Sequence, residues 1–336
     1  MRHRILQFLA FAVLFSSCVF SQPAPATSPH PTVVFMTDFG HVDDSVAICK
    51  GVMLSIAPSL RIVDLTHDVT PFNILDGARF LAGTTPYYPA GTVFVVVVDP
   101  GVGSARKAIV ARSGRGQYFV LPDNGLLTLV QDQDGIDAAY EIRNPAWMIG
   151  SALSSTFHGR DIFSPVGAHV ANYFANYVAS NVANNVANKA ANPVASEAAR
   201  AGHISQVGPV LDVRQLVRLD IRKPSLDAHG LSATVIGTDG PFGNLVTNVT
   251  RADFDKLGYT LGDSVPFTLA DKPLQIPWVK TFSDVPVGSP LFYIDSRGRL
   301  GLAVNQGSFV ERYAVTVPAT LDIQSATHPA ADSATH

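Results

Sequence analysis

Hydrophobic and polar residues from Thr32 onward alternate between strand and helix patterns. They predict a strand over TVVFMTDFG, a helix over DDSVAICKGVMLSIAP that Pro58 closes, and a second strand over RIVDLT. A further helical stretch, ILDGARFLAGTTPYY, precedes GTVFVVVVDPGVG, whose uninterrupted valine run is typical of a strand buried on both faces of a parallel sheet. Residues 32–192 are therefore predicted to form an N-terminal α/β domain with a mostly parallel central sheet.

The pattern changes in the second half of the chain, where short apolar runs are separated by Gly and Pro turns. Strands are predicted over LVRLDI, LSATVIGTD, PLFYIDS, LGLAV and RYAVTV, with one helix over ADFDKLG. Residues 205–320 are therefore expected to form a smaller all-β domain, a barrel or a sandwich. Between the domains, residues 167–199 are rich in Ala and Asn with Ala at every fourth position, which predicts a partly ordered helical connection.

The two ends of the sequence are predicted to lie outside the fold. Residues 1–21 combine early positive charge with a short apolar run and small residues, as in a signal peptide, so we expect an exported protein, periplasmic or secreted. Cys18 offers the alternative of a lipid-anchored protein. Residues 22–31 form a linker rich in Pro and Ala, and residues 322–336 are expected to form a mobile tail.

Composition narrows the classes of partner. The 336 residues are 47% hydrophobic and 15% charged, with a net charge of −3 and a pI near 6.3, so we expect no binding of nucleic acid or of an anionic membrane surface. Small molecules are the favoured partners, and no transmembrane span is expected after signal removal. Cys49 is then the only cysteine, which excludes an internal disulfide, and its helical context favours a core position.

A polar cluster from Thr37 to Ser45 follows the first predicted strand. It contains three carboxylates, a histidine and a hydroxyl at the junction of a strand and a helix. Asp43 or Asp44 can cap the helix, the carboxylates can bind a divalent metal, or they can accept hydrogen bonds from ribose hydroxyls and an ammonium group. The cluster by itself leaves these three interpretations open.

Two further clusters contain candidate catalytic residues. Asp99 ends the valine run, and Arg106 follows across a glycine-rich turn that can bring the two side chains together. A carboxylate buried at a strand end needs such a cation, whether its role is structural or catalytic. STFHGRD has neither helical nor strand periodicity, and its His158 lies among polar neighbours, which makes it a candidate site histidine. Because ligands bind at the carboxyl ends of parallel strands, the clusters after Met36 and Val98 are expected at the site.

Five motifs in one order resemble those of the S-adenosylmethionine (SAM) hydroxide adenosyltransferase family: TDFG…DDS, VDPGVG followed by Arg106, STFHGRD, DGPFGN and SRGR. The last two, taken alone, are equally typical of hairpin turns. The resemblance extends from about Val33 to Val317 and includes the related SAM-dependent chlorinases and fluorinases. It implies an α/β N-terminal domain, a β-barrel C-terminal domain, and a homotrimer that binds SAM between domains of neighbouring subunits.

The resemblance also implies a reaction and a role for individual residues. Asp99, Arg106 and His158 match a water-activating triad, in which Arg106 stabilises the developing hydroxide, Asp99 orients Arg106 and the water, and His158 accepts or relays the proton. The expected reaction converts SAM, as substrate, to adenosine and L-methionine without a metal or a further cofactor. The matching substrate-binding residues are Asp38 at the ribose, Asp43, Ser45 and Asp239 at the ammonium, Ser296 and Arg297 at the carboxylate, Phe72 as an aromatic wall, Phe242 and Asn244 at the adenine, and Asn305.

Three other functions fit part of the pattern. DDSVAICKG and TPFNILDGAR are closer to the fluorinase side of the family, which allows a halide as nucleophile, whereas FHGRD and DPGVGSAR favour hydroxide. Calcium-dependent nucleoside hydrolases also have an Asp-rich turn after their first strand, but their pattern needs an additional Asp where this chain has Met36 and Thr37. A secreted nucleoside-binding protein without catalysis is the third alternative.

Overall fold

The computed structural model describes residues 31–150, 152–174 and 203–326. The predicted signal peptide, Cys18 and nearly all of the linker lie outside the described residues, as do most of the Ala/Asn-rich segment and residues 327–336. Within the described ranges, no helix is both long enough and apolar enough to cross a membrane.

The N-terminal domain is built on a seven-stranded sheet. Its strands are β1 (Thr32–Thr37), β2 (Arg61–Thr66), β3 (Val93–Val97), β4 (Ala108–Ser113), β5 (Tyr118–Pro122), β6 (Ile136–Glu141) and β7 (Val210–Leu211). They lie in the order β2-β1-β3-β5-β4-β6-β7, in which the first four are parallel. β4 is antiparallel to both β5 and β6, so five of the seven strands share one direction and the predicted mostly parallel sheet is confirmed.

Helices cover both faces of this sheet. They are α1 (Ser45–Ile56), α2 (Ile74–Thr84), α3 (Thr128–Asp134) and α4, which begins as a π-helical turn over Gly159–Phe163 and continues over residues 164–174. Every residue of β3 is buried, because Val95 points into a core with α1 and α4 whereas Val96 points into a second core with α2 and α3. Cys49 of α1 is fully buried in the first of these cores, as predicted, and burial raises the pKa of its thiol to about 11.

The C-terminal domain is a nearly closed antiparallel barrel. Its strands and helices are β8 (Ser225–Leu226), β9 (Gly230–Asp239), β10 (Asn244–Thr250), α5 (Arg251–Asp255), β11 (Ser264–Leu269), β12 (Lys272–Pro277), β13 (Pro290–Ile294), β14 (Arg299–Val304), α6 (Phe309–Tyr313) and β15 (Ala319–Gln324). The main strand order is β12-β11-β15-β9-β10-β14-β13, and β8 pairs with β9. A bridge between Trp278 and Phe292 joins the two edges. The barrel, rather than the sandwich, is therefore the observed form.

Two predicted strands are absent from this domain. LVRLDI has no strand partner, because the backbone N–H groups of Val217 and Leu219 instead donate to Asp123 Oδ1 at 2.9 Å and Thr128 Oγ1 at 2.8 Å. RYAVTV overlaps the end of α6, which the sequence did not predict, and the strand begins only at β15.

The edges of the predicted C-terminal domain also differ from the observed elements. β7 lies within residues 205–320 but pairs with β6, and therefore belongs to the N-terminal sheet. β15 continues to Gln324, past the predicted start of the tail at residue 322, because Asp322 pairs with Ser232 of β9 and Thr268 of β11. Backbone pairing on both sides therefore keeps these residues in the sheet.

Candidate functional site

The carboxyl ends of β1 and β3 meet at one edge of the sheet. Thr37 pairs with Val97 across the two parallel strands, so Asp38 and Asp99 emerge side by side. Asp38 accepts a hydrogen bond from the backbone N–H of Phe72 at 2.9 Å. Burial raises the pKa of Asp38, and the nearby charge of Asp99 raises it further, against the effect of that hydrogen bond.

Arg106 and Asp99 form a bidentate ion pair at this edge. Nε of Arg106 donates to Oδ1 and Oδ2 of Asp99 at 3.0 and 2.9 Å, and Nη2 also contacts Oδ2. The two side chains are only 10% and 4% exposed, and the guanidinium lies over the ring of Phe163, 5.2 Å from its centroid. The glycine-rich turn thus brings the pair together as the sequence suggested, and each charge compensates the desolvation of the other.

His158 contacts the same guanidinium. Its Nδ1 is 2.7 Å from Nη2 of Arg106. Because a guanidinium can only donate, Nδ1 is the acceptor, and this network assigns the proton of neutral His158 to Nε2. Burial lowers the pKa of His158 and the charge of Arg106 lowers it further, whereas Asp99 and Asp161 act in the opposite direction. His158 is therefore neutral at neutral pH.

The loop that carries His158 is fixed by Asp161, whose side chain is 1% exposed. Asp161 accepts from the backbone N–H of Ser154 at 2.7 Å and from Nε of Arg160 at 2.5 Å, which joins the two ends of the loop. His158 directly precedes the π-helical turn, a feature that is frequent at functional sites. Gly159 packs against Phe39, since an added Cβ would lie 2.9 Å from that ring.

A pocket of about 210 Å³ lies between these elements. Its polar lining includes Asp38, Asp99 and His158, and its apolar lining is provided by valine and phenylalanine side chains, Val97, Val102, Phe39, Phe72 and Phe157. No lysine or arginine lines this pocket among the described residues. Phe39, Val102 and Phe157 were not predicted as site residues, although Phe39 and Phe157 are adjacent in sequence to Asp38 and His158 and Val102 lies three residues after Asp99.

Phe72 stands at the mouth of the pocket in an unusual conformation. Its side chain is 73% exposed and its φ is 66°, a left-handed region that bulky residues rarely occupy. The hydrogen bond to Asp38 holds the backbone there. An exposed aromatic ring on a strained, anchored turn is typical of a contact with a ligand or another subunit.

Asp43 lies just before α1 and Ser45 is the first residue of that helix, and neither is among the residues that line the pocket. Asp43 is exposed, and its Oδ1 accepts from the backbone N–H of Ser45 at 2.9 Å, which lowers the pKa of Asp43. The capping interpretation thus has structural support, although the N-cap residue itself, Asp44, makes no side-chain capping bond. No group of three or more His, Cys, Asp or Glu side chains in the described part of the chain is arranged to hold a metal ion.

A second group of predicted residues lines a wide groove of about 640 Å³ on the barrel, formed in part by Phe242, Asn244 and Asn305. Phe242 is 68% exposed, whereas Asn244 is buried. Nδ2 of Asn305 donates to the carbonyl of Val285 at 2.8 Å. Oδ1 of Asn244 is buried without a hydrogen-bond partner among the described residues, so it is available to accept from a ligand.

A third group surrounds Arg79 of α2, a residue that the sequence analysis did not single out. Oδ1 of Asp239 is 3.6 Å from Nη2 of Arg79. Ser296 and Arg297 line a separate cavity together with Arg79. Gly237 of β9 lets the barrel approach, because an added Cβ would lie 2.0 Å from Nη1 of Arg79. The signal available in the sequence was an arginine on the apolar face of a helix, three residues after an aspartate.

One chain therefore brings together the predicted catalytic residues, Asp99, Arg106 and His158, with Asp38 and Phe72 in the adjoining pocket. The groove of the barrel and the cavity at Arg79 hold the remaining C-terminal residues. These groups are separate from the N-terminal pocket, and their assigned roles stay predictions.

Comparison with known proteins identifies the family. Residues 33–176 match the SAM hydroxide adenosyltransferase N-terminal domain, and residues 233–321 match the C-terminal domain of the same family. The chain belongs to the SAM hydroxide adenosyltransferase family. The two matched segments cover most of the two sheets, and they contain all the residues predicted for the site.

Relatives of the SAM hydroxide adenosyltransferase family include two kinds of enzyme. The chain is 37% identical to an (R)-S-adenosyl-L-methionine hydrolase of Salinispora arenicola, over 85% of this chain and 95% of the relative. It is also 32% identical to a fluorinase of an Actinoplanes species, over 88% of this chain and 98% of the relative. A crystal structure of an uncharacterized conserved protein from Thermotoga maritima shares the fold, with a TM-score of 0.73 and 34% identity over 87% of this chain and 99% of that one.

Proposed function

We propose that this protein hydrolyses SAM to adenosine and L-methionine through attack of water on C5′ of the adenosyl group. The observation that supports this proposal best is the hydrogen-bonded set of Asp99, Arg106 and His158 at the N-terminal pocket. Family membership supplies the substrate class, and the hydrolase relatives supply the precedent for the reaction.

The charges of the pocket suit this substrate. SAM carries a positive sulfonium, and the ionised form of Asp38, which has no cation paired with it among the described residues of the pocket, favours a positive charge beside it. In the reaction, the oxygen of water forms a bond to C5′ while the C5′–S bond breaks and its electron pair stays on sulfur. The products are neutral methionine thioether, adenosine and one released proton. A pocket walled by phenylalanine side chains strengthens these charge effects by excluding water.

The hydrogen bonds of the triad limit the route of the proton. The lone pair of His158 Nδ1 is occupied by the N–H of Arg106, so His158 accepts a proton there only when that contact loosens. Asp99 retains free oxygen lone pairs that can accept from water. We propose that Asp99 orients and polarises the water, that Arg106 stabilises the developing hydroxide, and that the proton passes to solvent through His158.

A SAM-dependent halogenase is the second candidate, because fluorinases are among the relatives. A halide would have to lose its hydration and enter a pocket that contains two carboxylates. A halide would bring a full negative charge into the pocket from the start, and His158 is neutral and adds no positive charge there. Water enters uncharged and needs the charge of Arg106 only as its proton leaves. The charge balance of the pocket therefore favours water as the nucleophile.

We further propose that the complete site forms between neighbouring subunits of a homotrimer. The N-terminal pocket of about 210 Å³ is smaller than the roughly 300–1,000 Å³ of typical ligand sites. Phe72 and Phe242 are exposed aromatic residues on the two separate surfaces. A barrel groove docked over the pocket of the next subunit would cover both rings and bring the free Oδ1 of Asn244 to the adenine.

Chromatography of the products tests this proposal. Purified protein is incubated with SAM in a halide-free buffer, and again with added chloride or fluoride. We expect adenosine and L-methionine in both cases, at rates that the halides do not raise. Formation of a halogenated adenosine would assign the chain to the halogenase group, and absence of turnover would favour a binding protein.

A further inference from the structure

The end of β1 and the loop after β2 meet behind the wall of the N-terminal pocket. Thr37 is the last residue of β1, and Asp38 and Phe39, which follow it, line the pocket. His67 begins the loop after β2 and is only 1% exposed. Further along this loop, the backbone N–H of Phe72 donates to Asp38 at 2.9 Å. The contacts between turn and loop therefore determine where the pocket wall lies.

The buried ring of His67 makes one hydrogen bond through each nitrogen. Nε2 is 3.1 Å from Oδ1 of Asp64, a carboxylate that also accepts from Nζ of Lys50 at 2.6 Å. Nδ1 is 2.8 Å from Oγ1 of Thr37, and this oxygen also accepts from the backbone N–H of Phe39 at 3.2 Å. A continuous chain of hydrogen bonds thus runs from α1 through β2 to the turn that lines the pocket.

The direction of each bond in this chain follows from the chemistry of its groups. A carboxylate only accepts, so Nε2 of His67 donates to Asp64, and Nδ1 of the neutral ring is left as an acceptor. The hydroxyl of Thr37 then donates to Nδ1, and its lone pairs remain for the N–H of Phe39. Burial lowers the pKa of His67, against the raising effect of Asp64, so the ring is neutral at neutral pH. The chain therefore holds the turn in one arrangement.

We propose that His67 is a positioning residue of the substrate pocket. Through Thr37, it holds Asp38 and Phe39 in place against the substrate. The proposal rests on the proposed function and deepens it. His67 is not among the residues that line the pocket, so it acts only through its neighbours. Because Asp38 and Phe39 face the substrate before and during the reaction, loss of His67 or of the Thr37 hydroxyl weakens binding more than it slows the chemical step.

Thr37→Val tests the proposal, because valine keeps the branched shape of threonine and lacks the hydroxyl. We expect KM for SAM to rise about tenfold while kcat changes less than about twofold. Thr37→Ser keeps the hydroxyl and should have a KM close to that of wild type.

Thr247→Val is the matched control in the barrel. Thr247 is as fully buried as Thr37, and its Oγ1 also makes two hydrogen bonds, donating to the carbonyl of Leu300 at 2.7 Å and accepting from the backbone N–H of Val249 at 3.1 Å. We expect denaturant unfolding to show a similar loss of stability in both valine variants, with KM unchanged in the control. An unchanged KM in Thr37→Val, or an equal rise in Thr247→Val, would overturn the proposal.

Two substitutions of His67 separate the contributions of its nitrogens. Asn places an acceptor close to the position of Nδ1 and keeps the bond to Thr37, whereas Gln reaches the position of Nε2 and keeps only the bond to Asp64. We expect KM close to that of wild type in His67→Asn and about tenfold higher in His67→Gln. Equal losses in the two variants would show that the ring only fills space in the core.

A measurement without substrate separates this proposal from the proposed function. NMR of the free protein should place the proton of His67 on Nε2, and Thr37→Val should shift the carboxyl signal of Asp38, whereas Thr247→Val should not. A proton on Nδ1, or an Asp38 signal that Thr37→Val leaves in place, would overturn the positioning role while leaving hydrolysis intact. Absence of turnover in wild type would contradict the proposed function, and the NMR comparison would still decide whether His67 positions Asp38.

Discussion

At His158, one hydrogen bond determines which ring nitrogen is available for chemistry. Arg106 occupies Nδ1, so Nε2 carries the proton of the neutral ring. The sequence predicted Asp99, Arg106 and His158 as site candidates because they are titratable or charged residues in polar loops. It contained no signal for the tautomer, since this depends on a contact between residues 52 positions apart.

Substitution of His158 by Ala should lower kcat by about 100-fold or more while KM changes little, because proton handling is lost and no substrate-binding group is removed. Steady-state kinetics and calorimetric binding of SAM measure the two effects separately. His229→Ala, on an exposed turn of the barrel, is the control. Equal losses of turnover and binding would argue against the role assigned to His158.

The pH profile follows from the lowered pKa of His158. A lowered pKa keeps the ring neutral to more acidic pH, so kcat should stay level above pH 6.5, the ordinary histidine value, and fall only below it. Measuring kcat across this pH range in a buffer of constant ionic strength tests the direction of the pKa shift. If kcat instead fell on the acid side with a midpoint above pH 6.5, the pKa of His158 would be raised rather than lowered, which would contradict this prediction.

Among the elements, α4 links the loop that carries His158 to the sheet. Its π-helical first turn follows His158, and Gly167 further along packs so closely on β3 that an added Cβ would lie 2.2 Å from Cγ2 of Val95. The helix is therefore tightly positioned against the strand that ends next to Asp99. This packing fixes the distance between the two halves of the triad.

Gly167→Ala should therefore destabilise the protein by about 1–3 kcal/mol, because the core cannot accept the extra methyl group without displacement. Gly51→Ala is the matched control in α1, where an added Cβ meets nothing within 4 Å. That change should stabilise the protein by about 0.5–1 kcal/mol. Denaturant unfolding of both variants measures the difference, and a neutral Gly167→Ala would show that α4 is loosely packed.

The sequence predicted those elements whose patterns are local. The valine run of β3 and the α1 pattern were sufficient, since burial on both faces or on one helix face is encoded within a few residues. LVRLDI and RYAVTV failed because a strand also needs a partner with free backbone groups. The first instead bonds to Asp123 and Thr128, and the second lies partly in α6.

On the scale of the whole molecule, the predicted substrate-binding residues lie on separate surfaces of one chain. The N-terminal pocket is lined by Asp99 and His158, and the barrel groove is lined by Asn244, whose Oδ1 has no hydrogen-bond partner among the described residues. The family resemblance assigns these residues to one substrate site, but in a single folded chain they lie on separate surfaces. The proposed site between neighbouring subunits would reconcile the two observations.

Complementation tests this assembly. His158→Ala inactivates the N-terminal pocket and Asn244→Ala weakens the barrel groove, so each variant alone should have little activity. Co-expressed chains that assemble randomly into trimers should recover about a quarter of wild-type activity, because three-quarters of the trimers are mixed and each has one intact site of three. Recovery that is absent despite mixed trimers would place the whole site within one chain.

The most direct test of the central claim is SAM hydrolysis in water enriched in ¹⁸O, with the nucleoside product analysed by mass spectrometry. Attack of water on C5′ predicts adenosine with a single ¹⁸O in its 5′-hydroxyl group, formed at the same rate with or without chloride. Unlabelled adenosine, or a 5′-halogenated nucleoside as the main product when halide is present, would contradict the account.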